Sequence, residues 1–195
     1  MKNNTESNDR ANEQPADPTE SPAPASPPAS MERFIRAAKQ TADGPDDRMP
    51  DESDKGIPRK RQVKEYSLQL ATAAARVALH NNGTDVLVLD VCDQTALFDY
   101  FVIATGTSRR QLHAISEEID DVLQKDLGDH RLGIEGYEDS RWIVLDYGSV
   151  VIHLFDEETR SYYDLESLWA DATVVPLAEL GLSDSDGGAS SDSDH

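Results

Sequence analysis

Nine of the ten prolines in this 195-residue chain lie between Pro15 and Pro58, while eleven of its twelve aromatic residues lie beyond residue 62, Phe34 being the exception. A chain folds only where it can bury enough apolar surface to offset the entropy of ordering it, about 1–2 kcal/mol per residue for the backbone alone. Residues 1–62 lack that surface and are expected to form a disordered extension. Residues 183–195 (SDSDGGASSDSDH) are an acidic tail with nothing apolar to anchor them, and are likewise expected to be disordered. The 120 residues from 63 to 182 remain, enough for one domain with its own core.

Charge follows the same division. The chain carries 38 acidic and 18 basic side chains, a net −20, of which −2 falls in the extension, −14 in the domain and −4 in the tail. The acidity therefore belongs mainly to a folded surface. Such a surface repels phosphate backbones instead of displacing their counterions, which argues against direct, nonspecific nucleic-acid binding. Cys92 is the single cysteine, so no intramolecular disulfide can form, and the opening MKNNTESNDR lacks the apolar stretch of a secretory signal. Both point to the cytoplasm. No apolar run approaches the roughly 20 residues that a membrane span needs.

Within the domain, Leu68, Ala71, Ala75, Ala78 and Leu79 share one helical face between Val63 and Asn82, and Asn82-Gly83 supplies a left-handed stop. Val86 to Val91 and Asp99 to Thr105 are short apolar runs that read as strands. Ser108 and Gln111 fit a capping box, and Leu112, Ile115, Ile119, Val122, Leu123 and Leu127 then follow at helical spacing until Gly128. Leu132 and Ile134 alternate before Gly136. Trp142 to Asp146 and Val150 to Phe155 form a hairpin across Gly148-Ser149, and Leu165, Leu168 and Trp169 make a short closing helix before Pro176. The fold class is α/β: a mixed sheet of about five strands with flanking helices.

Asp90, Asp93, Asp99, His113, Glu135, Asp146 and His153 all lie on or beside expected elements, but their spacing is not that of a metal site. There is no HExxH, no His or Cys pair at ligand spacing, and no carboxylate pair two apart on one strand, so neither a catalytic metal site nor a cofactor is expected. Gly106-Thr107-Ser108 is a strand-to-helix turn with Ser108 as N-cap; without GxGxxG or GxxxxGK[ST] it does not specify a phosphate site. Arg109 and Arg110 read as solvated arginines, His113 and His153 as ordinary element positions, and Cys92 as a small residue at a strand end. Trp142 and Tyr147 admit two readings: aromatic anchors at the sheet margin amid acids, or a core residue and a turn residue.

Four ordered strings decide more: DVLVLDV, DYFVIATGTSRRQLHAISEEI, GIEGYEDSRWIVLDYGSVVIHLF and ETRSYYDLESLWADA. Together, over about Tyr66 to Ala172, they resemble the ribosomal silencing factor (Iojap) family. The resemblance implies a nucleotidyltransferase-like fold without that superfamily's catalytic motif, hence no enzyme. It implies a translational repressor that binds the large ribosomal subunit through its protein fourteen and blocks joining of the small subunit when nutrients are scarce. It implies partner contacts at Trp142, at the Asp146-Tyr147-Gly148 turn and at Glu135-Gly136, and it favours the anchor reading of the two aromatics. Asp99, Ser108, Arg109, His153 and Arg160 match family-motif positions without an assigned role. The family pattern has Asp where this chain has Ser149. A homodimer is compatible with the resemblance, and two other functions stay open: large-subunit assembly through the same surface, and metal-dependent nucleotidyl or phosphoryl transfer. In the extension, Arg59-Lys60-Arg61 reads as a solubilising linker, and Met31, Phe34, Ile35 and Ala38 keep helical spacing.

Overall fold

The computed structural model describes residues 57–183, with side chains from 63 onward, apart from one turn residue at 29. The arm before residue 57, with its Met31 to Ala38 segment, and the acidic tail lie outside the described residues. The first helix, α1, spans Ile57–His80, so it begins inside the stretch assigned to the extension and takes in the Arg59-Lys60-Arg61 triplet. Its buried face is largely alanine: Ala71, Ala74, Ala75 and Ala78 beside Leu70 are fully buried, which lets the helix axis approach the sheet closely. Asn82 at φ 57° ends it, and the Gly83 amide donates to the Ala78 carbonyl at 2.8 Å.

Two strands follow, β1 (Thr84–Asp90) and β2 (Tyr100–Thr105), then helix α2 (Arg109–Leu127). The expected cap is present: Ser108 Oγ accepts from the Gln111 amide, while Gln111 Oε1 reaches back to the Thr107 amide and hydroxyl, at 2.7 and 2.9 Å. Gly128, at φ 70°, closes the other end. Next come β3 (Gly133–Glu135), β4 (Trp142–Asp146) and β5 (Val150–Phe155). A helix α3 (Glu157–Tyr163), a single turn α4 (Leu165–Leu168) and a short strand β6 (Thr173–Val175) complete the path, with a 3-10 turn at Leu177–Leu180.

The six strands are ordered β3-β4-β5-β2-β1-β6, with β2 and β5 parallel and every other pair antiparallel. The expectation of about five strands is met and exceeded by β6. Every residue of β2 and β5 is buried, as continuous apolar runs require when both faces are covered. One face, carrying Val102, Ala104, Ile143, Leu145, Ile152 and Leu154, packs under α1 and α2. The other, carrying Phe101, Ile103, Trp142, Val144, Val151 and Phe155, is closed by Leu165 and Trp169 of the C-terminal segment. Two thin cores thus sandwich one sheet, and β3 and β6 are its edges.

Candidate functional site

The expected contact residues collect at the β3–β4 margin. β3 pairs with β4 only, Glu135 lying opposite Val144 and Gly133 opposite Asp146, so the other side of β3 is the rim of the sheet. Gly136 follows with φ 70°, and a Cβ there would overlap the Trp142 carbonyl, so both conformation and space demand glycine. Asp146 Oδ1 accepts from the Gly148 amide at 2.7 Å, and Tyr147 and Val150 pair across the turn at 2.9 Å. The carboxylate therefore shapes the hairpin turn, an Asx-type role. Gly148 sits at φ 80°, a left-handed conformation that glycine adopts without strain.

The two aromatics are not exposed anchors. Trp142 is 1% exposed and lies on the inner core face, 4.6 Å from the Phe155 ring and 4.9 Å from the Tyr163 ring, with its indole Nε1 donating to His153 Nδ1 at 3.3 Å. Tyr147 is 5% exposed; its hydroxyl donates to Asp120 on α2, which also pairs with Arg131. Burial pushes the Tyr147 hydroxyl up to about 12. The reason is register: Trp142 is on the same face as Val144, and that face is covered by the C-terminal helices, whose position no local pattern announces. What the margin does expose is Leu132, 74% accessible, whose amide extends the ladder to the Asp146 carbonyl at 2.7 Å and whose side chain borders Gly148. Leu132 alternates with Ile134, which packs against the core, yet Leu132 is exposed because α2 ends at Leu127 and leaves the margin uncovered. Exposed Glu138 and Asp139 stand in the loop between β3 and β4.

The other motif positions are scattered. Asp99 accepts from the buried Ser67 hydroxyl at 2.7 Å, and Ser67 also lies 2.9 Å from Ser149 Oγ. Around them Lys64 pairs with Asp90 at 2.8 Å, a hydrogen bond that raises the ammonium well above its ordinary value. Burial, followed by the Asp90 carboxylate, pushes the Cys92 thiol up to about 12, so it is not an activated nucleophile. Ser108 and Arg109 are exposed at the start of α2. His113 stacks on Tyr137 with 4.1 Å between centroids and meets the Tyr137 carbonyl and Ser140 Oγ at 2.8 and 2.6 Å. His153 is fully buried, and burial pushes its imidazole down to about 3, leaving it neutral. Arg160 ties α3 to Glu166, to the Asp85 carbonyl and to Thr105 Oγ1 at 2.7–2.8 Å. Asp90 and Asp99 share one polar cluster, which Ser149 joins to the Asp146-Tyr147-Gly148 turn, whereas His113 and His153 bond to other groups. Among the described residues no three His, Cys, Asp or Glu side chains could hold a metal ion, and no helix is long and apolar enough to cross a membrane.

A family model described as "ribosomal silencing factor during starvation" matches residues 64–195. The ribosomal silencing factor RsfS of Bacillus subtilis is 40% identical over 113 residues, covering 58% of this chain and 90% of that protein. A mouse protein named mitochondrial assembly of ribosomal large subunit protein 1 is 41% identical over 90 residues, 45% of this chain and 40% of its own length. A crystal structure from Bacillus halodurans, 36% identical, covers 56% of this chain and 95% of its own, with a TM-score of 0.47.

Proposed function

The chain belongs to the family of ribosomal silencing factors acting during starvation, and from that premise we propose that it binds the large ribosomal subunit at a basic protein, protein fourteen, and blocks joining of the small subunit. Membership supports a role in ribosome silencing or assembly; the partner and the steric block are our reading. The observation that carries it is the β3 margin: a sheet edge bearing Glu135, flanked by exposed Leu132 and by Glu138 and Asp139. An apolar side chain within an acidic rim suits a basic protein patch, and an edge strand adds backbone donors and acceptors. Trp142, Tyr147, Gly136 and Gly148 serve this surface from behind by fixing the margin's shape, and Asp146 holds the turn. No chemical step belongs to the proposal, and the ribosome in question is read as the cytoplasmic one.

Pull-down on separated subunits followed by a subunit-joining assay tests partner and mechanism together. Large-subunit capture and inhibition of joining are expected, both weakened by Leu132→Asp or by charge reversal at Glu138 and Asp139. Capture of small subunits instead, or undiminished joining at saturation, would refute the reading. The name of the mouse relative favours a second reading, large-subunit assembly through the same margin; accumulation of immature large subunits on depletion, with joining unaffected, would select it. Stoichiometric nucleotide binding in calorimetry with magnesium or manganese would revive an enzyme. Pairing of edge strands between copies is the proposed route to a homodimer, which sedimentation velocity tests.

A further inference from the structure

A groove of about 610 Å3 lies between α2 and β3, with Ile134 and Tyr137 among its lining residues, Glu117, Glu138 and Asp139 on its exposed sides, and one cation, Arg131, that is paired with Asp120. It adjoins the β3 margin through Gly136. We propose that residues 31–39 of the same chain dock in this groove, so that the N-terminal extension competes in cis with the ribosomal partner for the acidic margin. The competition rests on the function proposed above; the docking does not.

The extension has one segment chemically suited to the groove. Phe34 and Ile35 are the only aromatic or branched aliphatic residues in the first 56, and Met31 and Ala38 share their helical spacing. Arg33, Arg36 and Lys39 make the same segment basic, with Glu32 its single acid, whereas the rest of residues 1–56 carries 11 acids and 4 bases. Apolar side chains suit Ile134 and Tyr137, and the three cations suit the acidic sides.

Geometry permits the contact. The arm enters at Ile57, and nine residues later Tyr66 donates its hydroxyl to the Leu127 carbonyl at the C-terminal end of α2, at 3.2 Å. Nine helical residues span about 14 Å, and Glu117 lies roughly 15 Å back along α2 from Leu127 by the same rise. The 17 residues between Lys39 and Ile57 have a root-mean-square reach of roughly 23 Å if flexible. Because α1 and α2 run antiparallel, Asn81 bonding to Glu118 and Tyr66 to Leu127, the two distances add to roughly 29 Å, which 17 residues cover at about half of their full extension. A tether of this length gives an effective concentration on the order of 1 mM, so a segment with a bimolecular Kd of about 0.1 mM would be bound most of the time and weaken a competitor about tenfold.

The test is zero-length carbodiimide crosslinking of the full chain at low concentration, with light and 15N-labelled protein mixed, read by mass spectrometry. Lys39 should link to Glu117, Glu138 or Asp139 within one isotopic species. The double variant Phe34→Ser, Ile35→Ser, which alters nothing inside the folded domain and keeps Lys39, should lower those links at least fivefold. Lys39 links spread over the surface carboxylates and indifferent to that variant overturn the docking, and links joining light to heavy chains overturn it in favour of a second copy. Cosedimentation then tests the competition: the double variant should bind large subunits about tenfold more tightly than the parent. Equal affinity, with the groove links present in the parent, overturns the competition. Failure of both chains to cosediment overturns the ribosome-binding reading, and the competition with it, while the crosslinks still decide the docking.

Discussion

Truncating Trp142 to Ala would empty space bounded by Phe155, Tyr163 and His153 on the inner core face. Such a deletion costs about 3–5 kcal/mol, a large share of the roughly 5–15 kcal/mol that holds a domain of this kind together. Denaturant unfolding should therefore show Trp142→Ala severely destabilised, and weak ribosome binding by that variant should follow from loss of fold. A variant that kept full stability while losing the partner would restore Trp142 to the interface. His153 makes a second residue-scale prediction. Its imidazole sits at about 3 in the folded protein against 6.5 when unfolded, so the unfolded chain binds the extra proton between those values. The stability that neutral His153 confers is fully present above pH 6.5 and is lost progressively as pH falls towards 3, at up to about 1.4 kcal/mol per pH unit. Between pH 6.5 and 5, before most carboxylates titrate, His153→Phe should flatten the pH dependence of the unfolding midpoint; an unchanged slope would show that His153 is not its source. Neither environment is legible in the local string, because SRWIVLD and VVIHLF give the strand but not which side receives α1 and α2 and which the C-terminal segment.

Helix α3 illustrates what element-scale patterns carry. Its sequence, EETRSYY, buries Thr159 alone, so no apolar stripe marks it, and it goes unread in the sequence. Asp156 starts it, accepting from the Thr159 amide at 2.7 Å and from Arg141 Nε at 2.8 Å. Burial by itself would raise the Asp156 carboxyl, yet the hydrogen bonds from Arg141 and Thr159 outweigh it and hold the group below its ordinary value. Losing an N-cap acid costs about 1 kcal/mol and a hydrogen bond to a charged partner a comparable amount, so Asp156→Ala should lower stability by about 2 kcal/mol in thermal or urea unfolding. A change within a few tenths would mean that packing of Leu165 and Trp169 alone holds the segment down. Strand β6 escapes the sequence for a related reason: three residues, mostly exposed, become a strand only because β1 offers them an edge far away in the chain. The α2 helix is the opposite case, since Ser108, Gln111, six apolar positions and Gly128 all lie within one contiguous stretch.

For the whole molecule the relevant quantity is the field of a domain carrying −14. If its partner is basic, encounter is steered by opposite potentials, and the association rate should fall as ionic strength rises from about 50 to 200 mM while dissociation changes little, because the Debye length shrinks from roughly 14 to 7 Å. Stopped-flow or surface binding checks this, and a salt-independent on-rate would discard the acidic surface as the guide. The sequence by itself determined the α/β class, the α2 caps, the hairpin and the family. All of these depend on local composition, spacing and ordered motifs. Only the tertiary structure decided that Trp142 and Tyr147 are interior, that Leu132 is exposed, and that β6 and α3 exist. Those outcomes turn on which face of the sheet each covering element occupies and where it ends, a choice made by packing between residues distant in the chain.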